Sequence, residues 1–190
     1  RMALATLALR RGDGTQAESL ARAALVRFTE DRSADNLAWA QALLAQALTA
    51  QGRAAEAHEF LLAASTQLAQ SQNVLLRTRA LSLLAPAAAT APEELPALRL
   101  QLMTALGQAH DAGFLPEELE LALQLRLLSG STARPRRARH REKMPLPELC
   151  DLARQAHGLG LVLIAKRASE AATPGCPPDP PVRGPAQDAL

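Results

Sequence analysis

The sharpest chemical feature of the chain is a basic run. Arg134, Arg136, Arg137, Arg139, Arg141 and Lys143 stand within ten positions, with Glu142 as the single acid among them. Such a run can contact anions, because clustered guanidinium groups neutralise phosphates or an anionic membrane face. No aromatic residue is interleaved for base stacking, so a solvated linker is the expected reading, with nucleic-acid contact and then an acidic protein partner as the alternatives. Cys150 and His157 lie seven positions apart on one predicted helix and share a face. Two ligands do not make a zinc site, and no third stands nearby. The other histidines, His58, His110 and His140, have no metal spacing. Gly12-Asp13-Gly14 lacks the further glycine and preceding strand of a phosphate-binding loop, and reads as a turn between helices. No Ser-His-Asp or Cys-His arrangement is visible. The chain is expected to be non-enzymatic, with no cofactor and no metal.

The elements that must position these residues follow from composition. Of 190 residues, 41 are Ala and 36 are Leu, while the strand formers Val, Ile and Tyr are scarce or missing. Ala and Leu favour helices, and a sheet needs β-branched and aromatic residues that this chain does not have. The expectation is all-α. The net charge is +2, yet the basic run concentrates positive charge, so the body is slightly acidic rather than a broad nucleic-acid-binding surface. The longest uncharged stretch, Ala80 to Pro92, is too short to span a membrane and contains Pro86. Two cysteines, Cys150 and Cys176, are too few and too far apart to suggest a disulfide framework, and a reducing, cytoplasmic setting is expected. Arg1 precedes Met2 in a pattern that is already helical, as in a fragment.

The periodicity predicts nine helices. The first, from Met2 to Arg11, ends at Gly12-Asp13-Gly14. Thr15 and Glu18 have the spacing of a capping box for the second, which runs to Glu30. A third covers Asp35 to Gln51, and a fourth Ala54 to Gln70, with Ala57, Phe60, Leu61, Ala64 and Leu68 on its buried face. Asn73 caps a fifth, which Pro86 kinks or ends. Pro92-Glu93-Glu94 and Pro116-Glu117-Glu118 signal the starts of the sixth and seventh. After the basic stretch, two short helices follow, at Leu149 to His157 and Leu161 to Ala172. The proline-rich residues 173–190 are expected to be a disordered tail.

A 40-residue register runs through the first half. Gly12, Ala17 and Ala24 align with Gly52, Ala57 and Ala64, and Ala40, Leu43, Leu44 and Ala45 align with Ala80, Leu83, Leu84 and Ala85. Residues 41–64 resemble a tetratricopeptide repeat: Leu44-Ala45, Leu48, Gly52, Ala57, Leu61 and Ala64 stand at its signature spacings. Gln41 stands where that pattern prefers Trp, Ala45 where it prefers Gly, and Leu48 where it prefers Tyr. Further along, Ser71-Gln72-Asn73, Ala112-Gly113-Phe114, Ser129-Gly130 and Leu163 to Ala168 look like the C-terminal repeat region of multidomain bacterial kinases or winged-helix regulators.

The resemblance implies a tetratricopeptide-like, right-handed solenoid of helical hairpins over residues 1–130. A basic linker at 131–144 and capping helices at 145–172 complete the expected organisation. It also implies a non-catalytic scaffold that binds a protein or peptide of unknown identity. The alternative is the sensing arm of a transcription regulator or serine/threonine kinase. The implied concave groove holds Trp39, Leu43 and Gln46 from one repeat, with Arg79, Ser82 and Leu83 from the next. A single arginine is not a carboxylate clamp, so specific capture of acidic C-termini is not expected.

Overall fold

The computed structural model describes residues 1–131, 148–172 and Cys176. All regular structure among them is α-helical. The helices are α1 (Met2–Arg10), α2 (Gly14–Glu30), α3 (Ala34–Ala50), α4 (Ala54–Gln70), α5 (Val74–Ala88), α6 (Leu95–Asp111), α7 (Leu115–Ser131), α8 (Leu149–Gly158) and α9 (Val162–Ala171). The chain divides into two compact units, Arg1–Pro147 and Glu148–Leu190. The basic run and most of the proline-rich tail lie outside the described residues.

The 40-residue register has a simple origin. Helices α2, α3 and α4 are each 17 residues long, and three-residue links separate them. One helix and its link advance the chain by 20 residues, so equivalent positions recur every second helix. At 1.5 Å per residue each such helix is about 25 Å long.

Most of the links share one geometry. In five of them the middle residue is left-handed: Gly12, Arg32, Gly52, Gly113 and Gly160 all have φ between 50° and 78°. The residue that follows donates its N–H to the carbonyl five positions back. The pairs are Asp13 to Ala8, Ser33 to Phe28, Arg53 to Leu48, Phe114 to Ala109 and Leu161 to Ala156, at 2.8–3.0 Å. This bond satisfies a carbonyl that the helix end leaves open, and it reverses the chain in the fewest residues. The α4–α5 link solves the problem differently. Ser71 is extended, its Oγ accepts from the Asn73 N–H at 3.2 Å, and Asn73 caps α5 by accepting from the Leu76 N–H at 3.0 Å.

Several expected boundaries shift, each for a local reason. Asp13, rather than Thr15, caps α2, and accepts from the Gln16 N–H at 2.9 Å. The Glu18 carboxylate is thereby free for other partners. Pro86 lies within the last turn of α5 without ending it. So close to the helix end it removes one backbone bond, and the helix runs on to Ala88. Helix α6 starts at Leu95, so Pro96 rather than Pro92 occupies its first turn.

Within the first unit, α3 packs against α1, α2, α4 and α5, and α5 in turn against α6 and α7. Odd-numbered helices therefore touch in succession, α1 on α3, α3 on α5, α5 on α7. The even-numbered helices make no comparable packing with each other among the described residues, and each sits between two odd ones. The central core joins Leu43, Leu44 and Leu48 of α3 to Ala5, Ala21 and Ala57 of its neighbours. Ala17, Ala21 and Ala24 of α2, and Ala57, Leu61, Ala64 and Leu68 of α4, are buried. Phe60, expected on that face, is only partly buried against the same cluster.

The repeat register also predicts energetics. Leu4, Leu44 and Leu84 are equivalent positions, but Leu44 and Leu84 are fully buried while Leu4 is 57% exposed. Leu44→Ala should cost about 3 kcal/mol through lost transfer energy and a cavity, and Leu4→Ala less than about 0.5 kcal/mol; denaturant unfolding of both variants checks the contrast. In the links, Gly52→Ala should cost about 1 kcal/mol, since an L side chain strains a left-handed backbone. Arg32→Gly should instead stabilise by roughly 0.5 kcal/mol, the relieved strain exceeding the added chain entropy. Thermal melts of the two variants should move in opposite directions.

Candidate interaction surface

Helical spacing places Asp35, Trp39, Ala42 and Gln46 on one stripe of α3. Arg79, Ser82 and Pro86 form the equivalent stripe of α5, 40 residues later. Helices α3 and α5 pack together within the odd-numbered layer, and Ala42, between Trp39 and Gln46 on its stripe, is fully buried. Trp39, Gln46, Ser82 and Pro86 are partly exposed, and Arg79 is exposed.

The six expected groove residues divide by what they touch. Leu43 is fully buried in the central cluster, so its side chain serves the core. Trp39 and Leu83 are partly buried and pack against the same cluster, each with part of its surface left open. The Trp39 indole Nε1 is buried without a hydrogen-bond partner, and so is the Gln46 side-chain oxygen. An unpaired buried donor costs free energy until an acceptor reaches it. Ser82 turns its hydroxyl back to the Arg79 carbonyl at 2.8 Å, a bond within its own helix. Arg79 bonds the Glu117 carboxylate of α7 at 2.7 Å. That pair ties α5 to α7 and neutralises the one cation of the expected groove.

The remaining sites sort as follows. Arg134, Arg136, Arg137, Arg139, Arg141 and Lys143 lie outside the described residues. Cys150 and Cys176 form a disulfide, with their Cα atoms 5.2 Å apart. This corrects the expectation of two free thiols. Helices α8 and α9, which lie between them, fold back as a hairpin, which brings together two cysteines 26 positions apart. Among the described residues no group of three His, Cys, Asp or Glu side chains is placed to hold a metal. No described helix is long and apolar enough to cross a membrane.

Two polar clusters escape sequence reasoning. In the first, Glu18 of α2 meets the α3–α4 link. Its carboxylate accepts from Gln51 Nε2 at 2.9 Å and from Arg53 at 2.7 Å, and it bonds Arg22 at 2.8 Å on its own helix. Arg53 also holds Glu56, at 2.5 Å, and Gln51 donates further to the Gly14 and Ala47 carbonyls. The approach is close: a Cβ on Gly14 would stand 3.0 Å from Gln51 Cγ and 3.3 Å from the Ala47 oxygen. In the second cluster, Arg77 of α5 bonds both the Ser71 carbonyl of the link before it and the Gln108 side chain of α6. The signal for the first lay in the sequence as a capping-box spacing, which pointed Glu18 at the wrong partner.

The chain matches no protein-family profile, and searches of curated proteins and of solved structures find no significant match.

The Glu18 cluster gives a pH prediction. Hydrogen bonds from Gln51 and then Arg22, with the charges of Arg53 and Arg22, hold the Glu18 carboxyl below its ordinary 4.5 against the opposing effect of burial. Folding therefore favours the ionised form. Its contribution is complete above pH 4.5 and is lost as pH falls through the lowered folded value. Glu56 shifts in the same direction, chiefly through its bond to Arg53. Melting temperatures from pH 7 to pH 2.5 should show Glu18→Gln clearly destabilised at neutrality and converging on the parent in acid. A gap that stays constant across that range contradicts the assignment.

Proposed function

We propose that residues 1–131 form a non-catalytic scaffold, a tetratricopeptide-like array of helical hairpins that binds a protein or peptide partner on its odd-numbered layer. Equal helices and three-residue links support the repeat reading. The packing of α1, α3, α5 and α7 in succession supports a bend with these helices inside, because the layer whose helices touch is the shorter one. Repeat arrays of this kind use such inner surfaces for binding.

The observation that carries the proposal is Trp39. Its ring is anchored on the core, part of its surface is open, and its Nε1 has no partner. A rigid aromatic anchored on the core and left half open suits an interface, because tryptophan is enriched among residues that dominate binding. Gln46, on the same stripe, is also half open. A place as the sensing arm of a larger bacterial signalling or regulatory protein is compatible with this role and follows from the resemblance of the repeats.

Affinity capture with the parent chain, Trp39→Phe and Trp39→Ala, followed by mass spectrometry, tests the proposal. Trp39→Phe keeps the ring packing and removes the donor. At least a tenfold loss of specific partners is expected with Trp39→Ala, and a smaller loss with Trp39→Phe. An unchanged partner set for both removes the groove reading.

A further inference from the structure

The C-terminal unit poses a stability problem that the N-terminal unit does not. Helices α8 and α9 are 10 residues each, shorter than the roughly 12–15 at which an isolated helix becomes even marginal in water. They pack on each other through the Gly160 link. Their buried residues are Leu152, Ala153, Ala156, Ala165 and Ala168, so only one is larger than alanine. Of the other large apolar residues, Leu159, Val162 and Leu163 are 50%, 68% and 37% exposed, while Leu149, Leu161 and Ile164 are partly buried. Domains below about 40 residues usually need a disulfide, a metal or a partner subunit to stay folded.

The Cys150–Cys176 bond meets that need in position as well as in kind. Cys150 lies in the first turn of α8, and Cys176 follows the end of α9, so the bond closes one ring around the whole hairpin. Both cysteines are partly exposed and reachable by a small dithiol. We propose that this unit is a redox-gated module, folded while Cys150 and Cys176 are joined and released when they are reduced. A reducing dithiol delivers two electrons and two protons across the Sγ–Sγ bond. The protein is left with two thiols, and the dithiol leaves as its own disulfide. Releasing a ring closed between positions 26 apart returns entropy to the unfolded chain worth on the order of a few hundredfold in the folding equilibrium. With one fully buried leucine and three partly buried aliphatic side chains, the hairpin has little to set against that loss.

Hydrogen exchange read by mass spectrometry on the full chain, with and without dithiothreitol, tests the proposal, and amides of α3 serve as the internal control. On reduction the amides of 149–171 should exchange roughly a hundredfold faster, while those of α3 stay unchanged. The double variant Cys150→Ser/Cys176→Ser should exchange fast in both conditions. Thiol titration of the denatured, unreduced protein should find no free thiol. Two free thiols in that titration, or equal protection of 149–171 before and after reduction, overturns the proposal.

Discussion

Close approach of helix backbones at alanine is the interaction on which the N-terminal unit rests. Helix α3 is covered nearly all round, with Ala38, Ala40, Ala42, Ala45 and Ala47 buried beside Leu43, Leu44 and Leu48. A helix contacted by four others has little room for larger side chains on every face. Alanine lets the backbones come near, and the leucines fill the spaces that remain. Gly14 is the limiting case, where even a methyl group would press on Gln51 and the Ala47 carbonyl.

The links make that packing possible. A three-residue turn leaves successive helices side by side and antiparallel, and its reach is set by one residue in the left-handed region. Glycine takes that place four times, and Arg32 takes it once. Polar side chains then secure the joints: Glu18 with Gln51 and Arg53 across the α3–α4 link, Arg77 with Ser71 and Gln108, Arg79 with Glu117. These bonds lie at helix ends, beside the links, where backbone groups would otherwise lack partners. The core supplies most of the stabilisation, and the joints hold its register.

The two units thus stay folded by different means. The first has enough helices to bury a continuous core, so its odd-numbered layer can leave Trp39 and Gln46 half open without loss of the fold. The second has two short helices, one buried leucine and a covalent ring. The surface proposed for binding and the element proposed for redox control belong to different units of the chain.

Much of this was legible in the residues. Scarcity of strand formers left helices as the only regular structure, and glycine punctuation marked four of the five left-handed links. The 40-residue register emerged from alanine and leucine spacing alone, because local geometry repeats whenever helix and link lengths repeat. Tertiary structure decided the rest, since those facts concern partners far apart in the chain. Arg32 does a glycine's work with no glycine to announce it. Glu18 bonds a link 33 residues away rather than its own helix start. Leu43 belongs to the core because α3 is enclosed by its neighbours, which helical periodicity alone does not reveal. Cys150 finds Cys176 only because the chain between them folds back on itself.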